Sequence, residues 1–329
     1  MKAGKITRVL ATIFLLLLAT HPAAAAQASD FTQWLQDLEA EARRQGIRAE
    51  TLEAALSDIE PIPRVVELDR QQPEFTLSFA EYRERVVPPS RIERGRKLLA
   101  RHRQLLAEIG AEFGVQPRYI VALWGIETDF GRLTGGFPVI PALATLAHDG
   151  RRSDYFRGEL LNALQILDEG HISPAAMTGS WAGAMGQCQF MPSSFLKFSV
   201  DYDGDGRRDI WNTRRDVFAS AANYLAESGW RDDQTWGRQV RLPADFDRQL
   251  AGLETRKLIG QWQELGVRRP DGSELPTRQL PASIIIPDEE NQPELAYMVY
   301  ENFRTTLKWN RSNYFALAVG LLSDAIAER

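Results

Sequence analysis

The chain has 329 residues, 39 lysines and arginines against 44 aspartates and glutamates, a net charge of −5 and a single cysteine, Cys188. That length supports a large core, usually divided among two or more domains. The acidic balance excludes nucleic acid, whose phosphates demand a basic face, and one cysteine excludes an internal disulfide, so packing must hold the fold.

At the start, Lys2, Lys5 and Arg8 precede an apolar run from Val9 to Ala19, and His21-Pro22 leads into Ala23 to Ala26. This is the pattern of a cleavable export signal, with cleavage expected after Ala26. A membrane anchor is the alternative, but the run is about half of the ~20 apolar residues that a bilayer span needs. No cysteine stands at the cleavage point to take a lipid. A soluble periplasmic protein, not a lipoprotein, is therefore expected.

Phe31, Trp34, Leu35, Leu38 and Ala42 have helical spacing, as do Leu52, Ala55 and Leu56. Pro61, Pro63, Pro88 and Pro89 punctuate the next stretch, and Ile92 to Phe113 reads as one helix that Gly114 to Pro117 stops. From Pro117 to Trp230 the pattern stays mostly helical. After Trp236, Val240 to Leu242 and Ile284 to Ile286 read as short strands among Pro, Gly and Asp turns. Helical periodicity is expected again from Leu295, with Tyr314, Ala318, Leu321 and Leu322 on one stripe. The expected class is α+β, predominantly α.

The strongest chemical signal lies in Pro117 to Gly131. Pro117 suits a first helical turn and Gly131 the residue just past the last. Ile120, Leu123, Trp124 and Glu127 fall on one face, so the Glu127 carboxyl sits beside indole and aliphatic carbon. Desolvation there disfavours the charged form and raises the pKa toward neutrality, as a general acid requires. The alternative is an ordinary glutamate tipping into solvent at a helix end. Asp129 is two residues on, about 200° round the helix, so a structural role is expected for it.

Ser173 to Ser194 sets Gly179, Gly183 and Gly186 among Trp181, Met185, Phe190 and Met191. Glycines allow close backbone approach and aromatic faces stack on sugar rings, while Ser180, Gln187 and Gln189 offer hydrogen bonds. Close-packed helices with Met filler read equally well. Asp201, Asp203, Asp205, Gly206, the Arg207 carbonyl and Asp209 match the opening of an EF-hand loop, although position twelve is Asn212 where a bidentate glutamate is usual. A metal-free aspartate turn is the alternative. His102, His148 and His171 lack metal-ligand spacing, and Cys188 reads as a buried thiol.

Taken together, the runs GIETDFG, Arg151-Arg152 after TLAHDG, GSWAGAMGQCQFMPSS, DGDGRRDIW, ANYLAESGW and NF…KWNRSNYFALAV resemble the lytic murein transglycosylase B family, from about Phe31 to the C-terminus. The resemblance implies an N-terminal α domain (27–95), a lysozyme-like helical catalytic core (96–232) with an EF-hand-like loop (201–216), a small β-containing domain (233–293) and C-terminal helices that complete the core (294–329). It implies cleavage of the β-1,4 bond between N-acetylmuramic acid and N-acetylglucosamine without water. Glu127 would be the single catalytic acid, and the substrate's own acetamido oxygen would meet the oxocarbenium-like charge. It further implies that Ser180, Gln189 and Phe190 line the glycan groove, that Arg151 and Arg152 reach the glycan or its peptide stem, and that Asn310 and Tyr314 close the site. Arg151 or Arg152 as surface ion-pair partners, and Tyr314 as core, are the alternatives.

Asp216 is implied to complete a structural calcium site with Asp201, Asp203, Asp205 and Arg207; no cofactor is expected for catalysis. Trp309 and Phe315 depart from the family pattern, standing where many relatives carry tyrosines. The expected partners are peptidoglycan strands and cell-wall synthesis proteins, and the expected state is a monomer. A hydrolytic muramidase and a non-catalytic wall-binding protein are the competing functions.

Overall fold

The computed structural model describes residues 22–71 and 77–328, with side chains described from residue 30. The apolar run of the expected export signal lies outside the described residues. Helix α1 (Pro22–Arg44) buries Leu38 and Ala42, and α2 (Ala49–Leu56) buries Leu52, Ala55 and Leu56. These are the positions that helical spacing selects. Next come α3 (Pro63–Gln71) and α4 (Phe79–Val86), the latter opened by a capping box between Ser78 and Glu81.

The expected single helix over 92–113 is two helices: α5 (Pro89–Arg101) and α6 (Arg103–Phe113), broken at His102. The break lets both segments lie against α7 (Pro117–Thr128). The His102 ring fills the corner, edge-on to Trp124 and Phe218. A two-residue strand β1 (Phe137–Pro138) pairs antiparallel with β2 (Thr178–Gly179), and between them run α8 (Val139–His148) and α9 (Ser153–Asp168). Helices α10 (Pro192–Phe198) and α11 (Arg214–Glu227) follow.

Strands β3 (Gly237–Val240), β4 (Lys257–Leu258), β5 (Pro281–Ile285) and β6 (Ala296–Val299) form an antiparallel sheet in the order β3-β6-β5-β4, with α12 (Ile259–Glu264) beside it. Two of these strands begin a few residues earlier than their sequence signals, and residues 296–299 form a central strand where helix was expected. Alternation explains the miss. Ala296 and Met298 face a small core with Trp262, Val267 and Ile284, while Tyr297 and Val299 face the helical core with Trp236 and Phe303. With both faces buried, the strand has no polar positions to reveal its period of two.

Helices α13 (Glu301–Trp309) and α14 (Asn313–Ala327) close the chain, and α14 packs along α7. Gly320 of α14 touches Trp236 so closely that a Cβ there would meet the indole at 2.2 Å. The Trp236 indole donates to Asp324 at 2.8 Å, so the sheet's entry is pinned to α14. One hydrophobic cluster runs from Phe31 through Trp124 to Ile326, joining the N-terminal and C-terminal helices. The class is α+β and predominantly helical. Among the described residues no helix is long and apolar enough to cross a membrane.

Candidate active site

Tyr119 to Gly125 of α7 are all buried. The helix stops at Asp129, whose φ is 48°, and Phe130 and Gly131 are also left-handed, so the reversal spans three residues where one was expected at Gly131. Glu127 lies in the last turn, half-buried. With Ile120, Leu123 and Trp124 it lines a narrow apolar slot closed by Gln187 and Cys188, by Val217, Phe218 and Ala221 of α11, and by Trp309 at the end of α13. The four-residue face expected from sequence is therefore assembled.

Glu127 Oε1 accepts the Trp309 indole N–H at 2.7 Å. In the sequence, Trp309 stands out only as a departure from the family pattern. The one available signal was an aromatic residue directly before Asn310, itself implied in the site. Asp129 is bound in ion pairs with Arg132 at 2.8 Å, Arg94 at 3.0 Å and Arg91 at 3.6 Å. It caps α7 and fixes α5, so no second acid comes from that side. Cys188 donates its thiol to the Val217 carbonyl, and burial, aided by the nearby Glu127 charge, pushes its pKa up, which keeps it an unreactive thiol.

Around the slot, the glycine-rich stretch is partly a packing device. Gln187 is buried, accepting the Trp124 indole N–H at 2.8 Å and donating to the Trp211 carbonyl at 2.6 Å. Gln189 is left-handed and donates to the Thr134 and Gly186 carbonyls, and the Ser180 hydroxyl oxygen accepts from the backbone of Ala182 and Ala184. Both remain partly exposed. Phe190, expected to line the groove, is only 2% exposed. It packs at a tilt against Trp309, with ring centroids 5.2 Å apart, and against Tyr224 at 5.6 Å, and so supports that indole.

Arg151 and Arg152, expected to reach the glycan, both pair with Asp69 of α3 at 2.5 Å. Asp69 is 1% exposed and holds both guanidinium groups against the N-terminal helices. The Arg151 hydrogen bond, followed by that of Arg152 and their charges, outweighs burial and lowers the Asp69 pKa. Each arginine keeps nearly half of its side chain in solvent. Asn310 is exposed and accepts the Ser312 N–H, while Tyr314 is half-buried between Phe79 and Tyr82.

In the loop between α10 and α11, one carboxylate oxygen from each of Asp201, Asp203 and Asp205 lies within 4.8 Å of the others. Asp216 is fully buried, accepting N–H groups from Tyr202 at 2.9 Å and Asp209 at 2.7 Å. Burial chiefly, with the charges of Asp203 and Asp201 adding, raises its pKa. Asn212 donates its amide toward Asp209. The Arg207 guanidinium pairs with Asp205 at 3.0 Å. The three histidines are separate: His102 beside Trp124, His148 on Asp30, and His171 between Glu169 and Arg208.

The Transglycosylase SLT domain model matches residues 30–324. Membrane-bound lytic murein transglycosylase B of Escherichia coli (strain K12) is 30% identical over 298 residues, covering 86% of this chain and 80% of the relative. The chain belongs to the lytic murein transglycosylase B family.

Among solved structures, SltB3 of Pseudomonas aeruginosa in complex with NAG-anhNAM-pentapeptide matches with a TM-score of 0.87 at 45% identity, covering 90% of this chain and 79% of that one. The lytic transglycosylase Slt35 of E. coli in complex with calcium matches at 0.75 and 29% identity, covering 91% and 92%. The helical core is thus of the lysozyme-like transglycosylase type, and the chain is an enzyme acting on glycosidic bonds of peptidoglycan.

In this transglycosylase the Asp69 anchor has a pH signature. Its folded pKa lies below the ordinary 3.8, so the unfolded chain takes the proton first and stability falls as pH drops below about 3.8. Asp69→Asn removes that dependence. In acid unfolding monitored by circular dichroism, the variant is expected to start less stable at pH 6 and to lose less on going to pH 3 than the wild type; equal losses would contradict the assignment.

Proposed function

We propose that Glu127 performs both proton transfers of the lytic reaction. As an acid it protonates the oxygen bridging N-acetylmuramic acid and N-acetylglucosamine, and the C1–O bond breaks. As a base it then takes the proton of the muramic C6 hydroxyl, whose oxygen closes on C1 to form the 1,6-anhydro ring. Atoms balance without water, and the carboxyl ends as it began.

The observation that carries this reading is that Glu127 is the only acid lining the slot among the described residues, while Asp129 is committed to three arginines. A hydrolase normally pairs two carboxylates across the scissile bond, one to place water. A passive wall binder gains nothing from a carboxyl set into an apolar slot, since an unreacting carboxylate only costs desolvation there. The anhydro product held by Pseudomonas SltB3 supports the same chemistry here. The half-exposed Arg151 and Arg152 meet acidic groups of the peptide stem in this reading, with Ser180, Gln189, Asn310 and Tyr314 along the glycan. Such a substrate supports a periplasmic location.

Mass spectrometry of digested peptidoglycan is expected to show fragments lighter than hydrolytic ones by one water, and Glu127→Gln to lower turnover at least about 10²-fold. Reducing muramic ends from the wild type would establish the hydrolase instead.

The acidic loop fits a hard divalent cation. Three converging carboxylates, the Arg207 carbonyl and a buried Asp216 that burial drives toward protonation are oxygen donors that offer more negative charge than the Arg207 guanidinium on Asp205 offsets. We assign it calcium, held by Asp201, Asp203, Asp205, Arg207 and Asp216, with a structural role; the calcium complex of E. coli Slt35 supports the assignment. At a hundredfold excess over Kd, calcium adds about 2.7 kcal/mol. Chelation is expected to lower the Tm by several degrees in the wild type and to leave Asp216→Asn unmoved, and an unmoved wild type would refute the site.

A further inference from the structure

The hydrogen bond between Glu127 and Trp309 joins residues 182 positions apart, and its donor ring is packed against two further aromatic rings. We propose that Trp309 is the positioning residue of Glu127, a partner able only to donate, which fixes the carboxyl oxygen that carries the proton. This rests on the reading of Glu127 as the proton-transfer group.

An indole Nε1–H has no acceptor lone pair. The oxygen facing it, Oε1, is therefore always the accepting oxygen, and acceptance favours the unprotonated one. The proton is kept on Oε2 when Glu127 is an acid and returns to Oε2 when it is a base. A hydroxyl partner could turn and accept, which would release either oxygen.

The indole is braced by its neighbours. Its ring lies against Phe190 at 5.2 Å and Tyr224 at 4.6 Å, and Tyr224 leans on Phe198 at 4.4 Å. The Tyr224 hydroxyl donates to the Lys308 carbonyl at 2.6 Å, and the Lys308 ammonium donates to the Ser228 carbonyl at 2.6 Å. Helix α11 and its end thus clamp both the ring and the backbone beside it.

A bond donated to a carboxylate stabilises its charged form, so losing the donor raises the Glu127 pKa. Other charged groups near α7 come from each packed element. Arg214 of α11 lies over Trp124, and His102 between α5 and α6 lies beside it. Cys188 is a buried thiol, Asp129 is paired with Arg91, Arg94 and Arg132, and Asp324 of α14 holds the Trp236 indole near Arg118. Only His102 ordinarily titrates near neutrality, and burial lowers it. The alkaline limb of the rate profile therefore reports Glu127.

The test is kcat and KM against pH on soluble glycan tetrasaccharides. Trp309→Phe keeps a ring in the stack and removes the N–H; its alkaline limb is expected to move up by about one pH unit, with kcat lowered roughly tenfold and KM little changed. Trp309→Tyr returns a donor whose hydroxyl can also turn, and is expected to bring the limb only part-way back toward wild type. An unmoved limb in Trp309→Phe, or a raised KM at unchanged kcat, would overturn the proposal in favour of a glycan-stacking role. In the folded wild type, one indole N–H resonance should also titrate with the midpoint of that limb and stand still in Glu127→Gln; no titrating indole would overturn the proposal without any Trp309 variant. If Glu127→Gln keeps turnover, the reading of function fails as well, whereas an inactive Glu127→Gln with an unmoved Trp309→Phe limb sinks this inference alone.

Discussion

The burial of α7 is the constraint from which the site follows. Seven consecutive residues of this helix, Tyr119 to Gly125, have no face turned to water. A helix apolar all round must be enclosed by others. Here α5 and α6 lie before it in sequence, while α11 and α14 arrive from roughly a hundred and two hundred residues later. Each large apolar side chain so enclosed stabilises the fold by about 1.5–3 kcal/mol. Glu127 stands in the turn where enclosure ends, so its carboxyl has apolar neighbours and an open side. The three left-handed residues from Asp129 to Gly131 then turn the chain sharply away, with Asp129 anchored by its arginines.

Two distant devices hold that turn in place. Gln187 links the Trp124 indole to the carbonyl of Trp211, and its own N–H donates to the Ile210 carbonyl at 2.9 Å. The acidic loop is therefore coupled to α7 through one buried amide. Gly186 permits it, because a Cβ there would press on Ile210 at 2.7 Å. On the other side, the sheet lends one face to the helical core and keeps the other for its own. Trp236 fits against Gly320, and this fixes α14 along α7.

How much of this was readable before the structure depended on range. Helical spacing placed Ile120, Leu123, Trp124 and Glu127 on one wall, turned Asp129 away and selected the buried residues of α1 and α2, since all of these are local. Alternating aspartates at 201, 203 and 205 likewise announce convergence within one loop. Contacts across the chain left no local mark. The Asp69 partner of Arg151 and Arg152 lies 82 and 83 residues upstream, and the donor to Glu127 lies 182 residues downstream. Phe190 looked like a sugar platform because nothing nearby shows that Tyr224 and Trp309 pack against it. Residues 296–299 hid a strand because both of their faces are buried, and the break at His102 hid inside an uninterrupted helical pattern.

The account stands on a single acid performing a reaction that consumes no water. Digestion in ¹⁸O-labelled water, followed by mass spectrometry of the newly formed muramic ends, tests this most directly. The account predicts no label at the anomeric carbon and an intramolecular ether in its place. Incorporation of one ¹⁸O at C1 by the wild-type enzyme would show that water attacks there, and the single-acid mechanism would be wrong.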